Sequence, residues 1–223
     1  MDDIERDSPM SYVQANNFKR LPHRSVPSSA NKLVAICAST GGPKALSRVI
    51  MGLPPNLNAP IVIVQHMPKG FTASFAGRLN DTGPLKVKEA ADGETIEKGH
   101  VYLAPGGAHM RIVKRRFNYL ISITDEPARS GLKPCADIMY ESIEKIDFDE
   151  VVCVVLTGMG SDGTRGIGKL SETHNVYVIA QDQATSSVYG MPGMVKNAGL
   201  TDEVLPLEKI ADAIIKATGT KTV

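Results

Sequence analysis

Val34-Ala35-Ile36-Cys37-Ala38-Ser39-Thr40-Gly41-Gly42 reads as the first strand of an α/β domain and the turn out of it. An apolar run ends at a hydroxyl-glycine turn, and Pro43 to Met51 then carries the spacing of an amphipathic helix. A strand that turns tightly into a helix opens a βα unit. It also sets Ser39 at the exposed edge of a sheet, where backbone N–H groups of the next residues can face a developing oxyanion. Small residues at such turns more often serve packing or helix capping. The turn alone therefore leaves both a nucleophilic and a structural Ser39 open.

The same pattern recurs along the chain. Apolar runs at Ala59 to Val64, Val151 to Leu156 and Val176 to Ala180 are short and rich in β-branched residues, and they alternate with helical stretches such as Pro134 to Ile146. Runs buried on both faces mark a parallel sheet covered by helices. From Lys86 to Thr124 the texture changes to Gly-rich turns and alternating segments, His109 to Val113 and Tyr119 to Ile123, which predict antiparallel hairpins. The expected architecture is α/β: a doubly wound, mostly parallel sheet with helices on both faces and an inserted antiparallel β-hairpin, ending in a helix over Ile210 to Thr218. Residues 1–31, with Pro9, Pro22, Pro27 and a serine-rich patch, read as a polar linker or tail without stable order. Residues 32–223 form the expected single domain.

Composition narrows the function. The 223 residues include 25 Lys and Arg against 24 Asp and Glu, no Trp and few aromatics, so neither a nucleic-acid footprint nor a base-stacking surface is present. No apolar run reaches the ~18 residues that span a bilayer, and the amino terminus has no secretory pattern. A cytoplasmic protein is expected. Cys37, Cys135 and Cys153 form no CxxC pair and are read as reduced structural thiols. No HExxH or Cys/His cluster calls for a metal, and neither a P-loop nor a GxGxxG follows the first strand, so no cofactor is expected.

In a doubly wound sheet ligands bind beyond the carboxyl ends of the strands. The residues there are Ser39 and Thr40, then Gln65, His66 and Met67, then Thr157 to Asp162, then Gln181 and Asp182. A serine hydroxyl needs a base, and the base needs an acceptor that fixes its tautomer. Ser39, His66 and Asp162 meet that need, each following a different predicted strand. His109 is the rival base, in the loop Ala104-Pro105-Gly106-Gly107-Ala108-His109, and Asp182 the rival orienting acid. The Ser, His, Asp order and the absence of GxSxG separate the chain from the α/β-hydrolases.

Read jointly, the motifs resemble those of the bacterial chemotaxis protein-glutamate methylesterases of the CheB type. The resemblance rests on Ala38-Ser39-Thr40-Gly41-Gly42, Gln65-His66-Met67-Pro68, Ala104-Pro105-Gly106 with His109-Met110, Leu156 to Gly163, Ala180-Gln181-Asp182 and Ser186 to Pro192. It implies Ser39 as nucleophile, His66 as general base and Asp162 as its orienting acid. It further implies an oxyanion donor from the backbone around Met159, with Thr40 beside the nucleophile. The implied substrate is a glutamate γ-methyl ester on the cytoplasmic helices of methyl-accepting chemoreceptors, and some members also deamidate receptor glutamines. A non-catalytic module that binds receptors or a regulator is the alternative, but it has no need of all three side chains. Two departures stand out. Many members carry an amino-terminal receiver domain, and about thirty polar residues are too few for one of ~120 residues, so control by phosphorylation is not assigned to this chain. Cys135 also stands where the resemblance leads one to expect a serine.

Overall fold

The computed structural model describes residues 18–221. In chain order the elements are β1 (Lys32–Ala38), α1 (Gly42–Met51), β2 (Ile61–Gln65), α2 (Thr72–Thr82), β3 (Lys86–Glu89), β4 (His100–Leu103), β5 (His109–Arg115), β6 (Asn118–Thr124), α3 (Ala136–Ile143), β7 (Glu150–Val155), α4 (Thr164–Thr173), β8 (Val176–Gln181), α5 (Met191–Asn197), β9 (Glu203–Leu205) and α6 (Leu207–Thr218). Seven strands form one sheet in the order β3-β4-β2-β1-β7-β8-β9, and every neighbouring pair is parallel.

Alternation along the strands produces the layers. Val34, Ile36 and Ala38 of β1 face one side with Ile61 and Ile63 of β2, and there they meet Leu46 and Ile50 of α1, Phe75 and Leu79 of α2 and Ile214 of α6. Leu33, Ala35 and Cys37 face the other side, against Met139 and Tyr140 of α3, Ile167 of α4, Val195 of α5 and Met110 and Ile121 of the hairpin. All seven residues of β1 are buried because helices cover both faces. The expected doubly wound sheet is thus the one observed.

The chain leaves β1 towards β2 and later returns to lay β7 on the other side of β1. That reversal places a crevice at the carboxyl end of β1, between the loops that follow β2 and β7.

Two expectations need correction. Within the Lys86 to Thr124 region β5 and β6 make the antiparallel hairpin, registered from His109 opposite Thr124 to Arg115 opposite Asn118. The earlier part of the Lys86 to Thr124 region supplies β3 and β4, which are parallel strands of the main sheet. β3 is an edge strand with Val87 as its buried residue, so its Lys-Val-Lys-Glu alternation imitates a half-exposed hairpin strand. The connection from β3 to β4 uses no helix and instead leans on the hairpin, Ile96 N–H donating to Tyr119 O at 2.9 Å. The second correction concerns the tail. Residues 18–31 have neither helix nor strand, yet they are held against the body: Leu21 N–H donates to Ser171 O at 2.8 Å, and the Arg20 guanidinium reaches Leu200 O at 2.9 Å and Val176 O at 3.0 Å and pairs with Asp202. Phe18 packs on Gly168, where any side chain would collide with its ring. Hydrogen bonds and an ion pair thus order a stretch whose apolar content is low. Residues 1–17 of that tail lie outside the described residues.

Candidate active site

β1 ends at Ala38 and the chain turns through Thr40 and Gly41 into α1. Gly41 has φ +80°, and a Cβ there would lie 2.5 Å from Ser187 Oγ, so only glycine fits both the backbone and the space. The turn is tied to both flanking loops. Ser39 N–H donates to Thr157 O at 3.0 Å beyond β7, and His66 N–H donates to Ala38 O at 3.1 Å beyond β2. Gln65 adds a side-chain clamp, its Nε2 donating to Ser39 O at 3.0 Å and His66 O at 3.1 Å. On the far side Thr157 Oγ1 donates to Thr40 O at 3.0 Å, and Thr157 N–H is received by Gln181 Oε1 at 2.9 Å.

His66 Nε2–H donates to Asp162 Oδ2 at 2.7 Å. Because Asp162 takes Nε2, the neutral ring presents Nδ1 as its acceptor. Asp162 is buried at the start of α3: Oδ2 also receives Ala136 N–H at 2.6 Å, and Oδ1 receives Asp137 N–H at 2.9 Å and the Cys135 thiol at 3.1 Å. Burial opposes its charge, but the bonds from His66 and the two backbone amides outweigh that and hold its carboxyl below the ordinary range. Asp162 is therefore an anion fixed on several donors, suited to orient an imidazole and to stabilise imidazolium.

The other expected positions fall as follows. Thr40 and Met159 are exposed beside the turn, and Gly158 abuts Ser39, a Cβ at Gly158 lying 2.7 Å from Ser39 Cβ. Among the described residues no acceptor takes the N–H of Thr40 or of Met159, leaving two donors at the crevice. His109 is elsewhere. It is buried, its Nε2–H donating to Pro127 O at 3.1 Å and its Nδ1 receiving Cys135 N–H at 3.2 Å, and burial lowers its pKa. Its two nitrogens are committed to backbone, which removes it as a base. Asp182 caps its own loop through Thr185 N–H at 2.9 Å and Thr185 Oγ1 at 2.7 Å.

Sequence reasoning gave no role to Gln65, Thr157, Gln181 or Asp137. The glutamines carry a signal, since each closes an apolar strand with a polar residue that ends fully buried. Among the described residues no three His, Cys, Asp or Glu side chains are grouped as a metal would need, and no helix there is long and apolar enough to cross a membrane.

This fold and site define a class: doubly wound parallel α/β proteins with Ser, His and Asp on the carboxyl edge of three adjacent strands. Residues 34–214 match the sequence model of the family described as CheB methylesterase, and the chain belongs to that family. It is 47% identical over 188 residues to a protein-glutamate methylesterase/protein-glutamine glutaminase of Geobacillus kaustophilus, a match covering 84% of this chain and 54% of that protein. A protein of the same description from Bacillus subtilis is 45% identical over 188 residues, covering 84% and 53%. The crystal structure of the Thermotoga maritima CheB methylesterase catalytic domain superposes with a TM-score of 0.81 at 41% identity, covering 84% of this chain and 98% of that one. The chain spans about half the length of these curated relatives.

Proposed function

We propose that residues 32–223 are a methylesterase domain that hydrolyses glutamate γ-methyl esters on methyl-accepting chemoreceptors, with deamidation of receptor glutamines as a related activity. The reading rests on the bond from His66 to Asp162 beside the Ser39 turn, and on relatives named for that pair of activities.

Ser39 Oγ attacks the ester carbonyl while His66 Nδ1 takes its proton, and Asp162 holds the imidazolium through Nε2. The tetrahedral oxyanion is met by the N–H groups of Thr40 and Met159, which cost no reorganisation at the moment of attack. The C–O bond to the methoxy group then breaks, and methanol leaves with the proton from His66. Water, deprotonated by the same nitrogen, attacks the glutamyl ester on Ser39 and returns the enzyme with a free glutamate. With glutamine as substrate the same steps release ammonia.

The test is methanol release from methylated receptor cytoplasmic fragments, by this protein and by Ser39→Ala. Release by the former that falls about 10⁶-fold in the latter is the expected result. Binding without release by either protein would replace the enzyme with a receptor-binding module.

A further inference from the structure

A cleft of about 360 Å³ is lined by Asp162, and its walls include Arg129, Ser130, Leu132, Met159 and Arg165. Met159 belongs both to this wall and to the loop against Ser39, so the cleft begins where the acyl site ends. A space of this size is large enough for a side chain with its neighbouring backbone.

The rim is built rather than incidental. Arg129 N–H donates to Leu132 O at 3.1 Å and Leu132 N–H returns to Arg129 O at 2.9 Å, closing a two-residue turn. Ser130 and Gly131 at its tip have φ of 50° and 75°, the left-handed pair such turns use. That turn sets Arg129 and Ser130 on one lip, and Arg165 in the first turn of α4 stands on the other. Arg129 is anchored on Glu141 at 2.7 Å, which Lys169 also approaches at 3.5 Å. Arg165 is exposed and, among the described residues, makes no ion-pair contact within 4 Å, its charge reaching Glu141 only at longer range. The two carboxylates in the wall are already engaged: Asp162 by His66, Ala136 and Asp137, and Asp137 by Gly163 N–H at 3.0 Å and Gly166 N–H at 2.7 Å. The cationic side chains that line the cleft are Arg129 and Arg165.

We propose that this cleft is a carboxylate subsite, in which Arg165, seconded by Arg129, receives an acidic side chain of the protein substrate next to the ester that Ser39 attacks. The proposal rests on the methylesterase reading above. A planar guanidinium matches a carboxylate by paired N–H bonds, and it has no such match with a methyl ester or a primary amide. The product of the reaction is itself a glutamate carboxylate. Removal of one methyl group would therefore create the ligand that draws a neighbouring ester into place, and esters on one segment would be cleaved in succession.

The test uses synthetic peptides with one glutamate γ-methyl ester and a second position, three, four or seven residues to either side, occupied by Glu or Gln. At low salt kcat/KM is expected to favour the Glu peptide about tenfold at one of these spacings, through KM, and the preference should shrink in salt. In Arg165→Gln the ratio between the two peptides should fall to near one. Equal use of both peptides at every spacing, or a preference that survives in Arg165→Gln, overturns the subsite while leaving the esterase reading intact. Absence of Ser39-dependent turnover of any peptide overturns both.

Discussion

Asp137 and Asp162 cap each other's helices. Asp162, in the loop before α4, accepts the backbone N–H groups of Ala136 and Asp137 at the start of α3, and Asp137 in turn accepts those of Gly163 and Gly166 at the start of α4. Each carboxylate thus meets the positive end of the helix that carries or follows the other. The carboxylate that orients His66 is consequently held by a two-helix clamp and not by one flexible loop.

The clamp should make stability depend on pH through Asp137. Burial, then the nearby charge of Asp162, raise the Asp137 carboxyl to about 6 from an ordinary 3.8, despite the two backbone bonds that favour its anion. A group that holds its proton more tightly when folded contributes stability that is full below its unfolded value and is lost as pH rises through the folded one. The contribution of Asp137 should therefore decline between about pH 4 and 6. Asp162, held below the ordinary range, acts oppositely, and its contribution is lost as the solution is acidified. Asp137→Asn keeps an oxygen for Gly163 and Gly166, removes the titration, and should flatten the decline in urea midpoints across that window. An unchanged pH slope in the variant would refute this account.

What the sequence made legible follows from distance along the chain. β1, β2, β7 and β8 announce themselves because each is an unbroken apolar run, and in a parallel sheet the residue after each run must lie on one edge. On that basis His66 and Asp162 could be placed on one edge, with Asp182 there too as a rival acid and His109 as a rival base. The clamp could not be read, because nothing local in Cys135-Ala136-Asp137 shows that the amides of Ala136 and Asp137 will be spent on a carboxylate about 25 residues later. β3 and β4 misled for the opposite reason. An edge strand with one covered face alternates like a hairpin strand, and only its partner reveals the direction. Residues 18–31 have too few apolar groups to look ordered, yet Arg20 alone ties them to three acceptors across the molecule.

Cys135 tests how much of the hold on Asp162 is specific to the thiol. Burial and the adjacent Asp162 push its pKa upward, so it stays protonated and donates to Oδ1. Cys135→Ser supplies a stronger O–H donor in nearly the same space, and turnover should stay within about threefold of the parent. Cys135→Ala removes a donor from a buried anion and should lower kcat about tenfold while leaving the His66 contact in place. The comparison is kcat for methanol release. A larger loss in the serine variant than in the alanine variant would contradict a donor role.

Asp162→Asn should lower kcat about 10⁴-fold with little change in KM, scaling from serine hydrolases of other folds. The amide can neither stabilise imidazolium nor favour the Nε2–H tautomer that leaves Nδ1 free for Ser39. The amide oxygen can keep the bond from Asp137 N–H, whereas Ala136 N–H loses its acceptor, so a modest loss of stability is expected beside a much larger loss in catalysis. A fall in the unfolding midpoint large enough to unfold the variant under assay conditions would shift the explanation to structure.

Gly158 should not tolerate a side chain, for a reason of space. A Cβ there would lie 2.4 Å from Met191 Sδ, 2.7 Å from Ser39 Cβ and 3.0 Å from Ser39 N. Gly158 cannot retreat, because its N–H donates to Val188 O at 3.0 Å and its carbonyl receives Gly190 and Met191 N–H at 3.1 and 2.8 Å. The strain of Gly158→Ala must then move Ser39, and a displacement approaching about 1 Å at a nucleophile should cost about 10²-fold in kcat. Gly160→Ala provides the contrast. That glycine has φ +88° but open space around it, so alanine there meets backbone strain of about 1 kcal/mol without a collision. Measured side by side, Gly158→Ala should lose turnover out of proportion to its loss of stability, whereas Gly160→Ala should lose stability first. The reverse order would mean that the Ser39 turn is set by something other than its contact with Gly158.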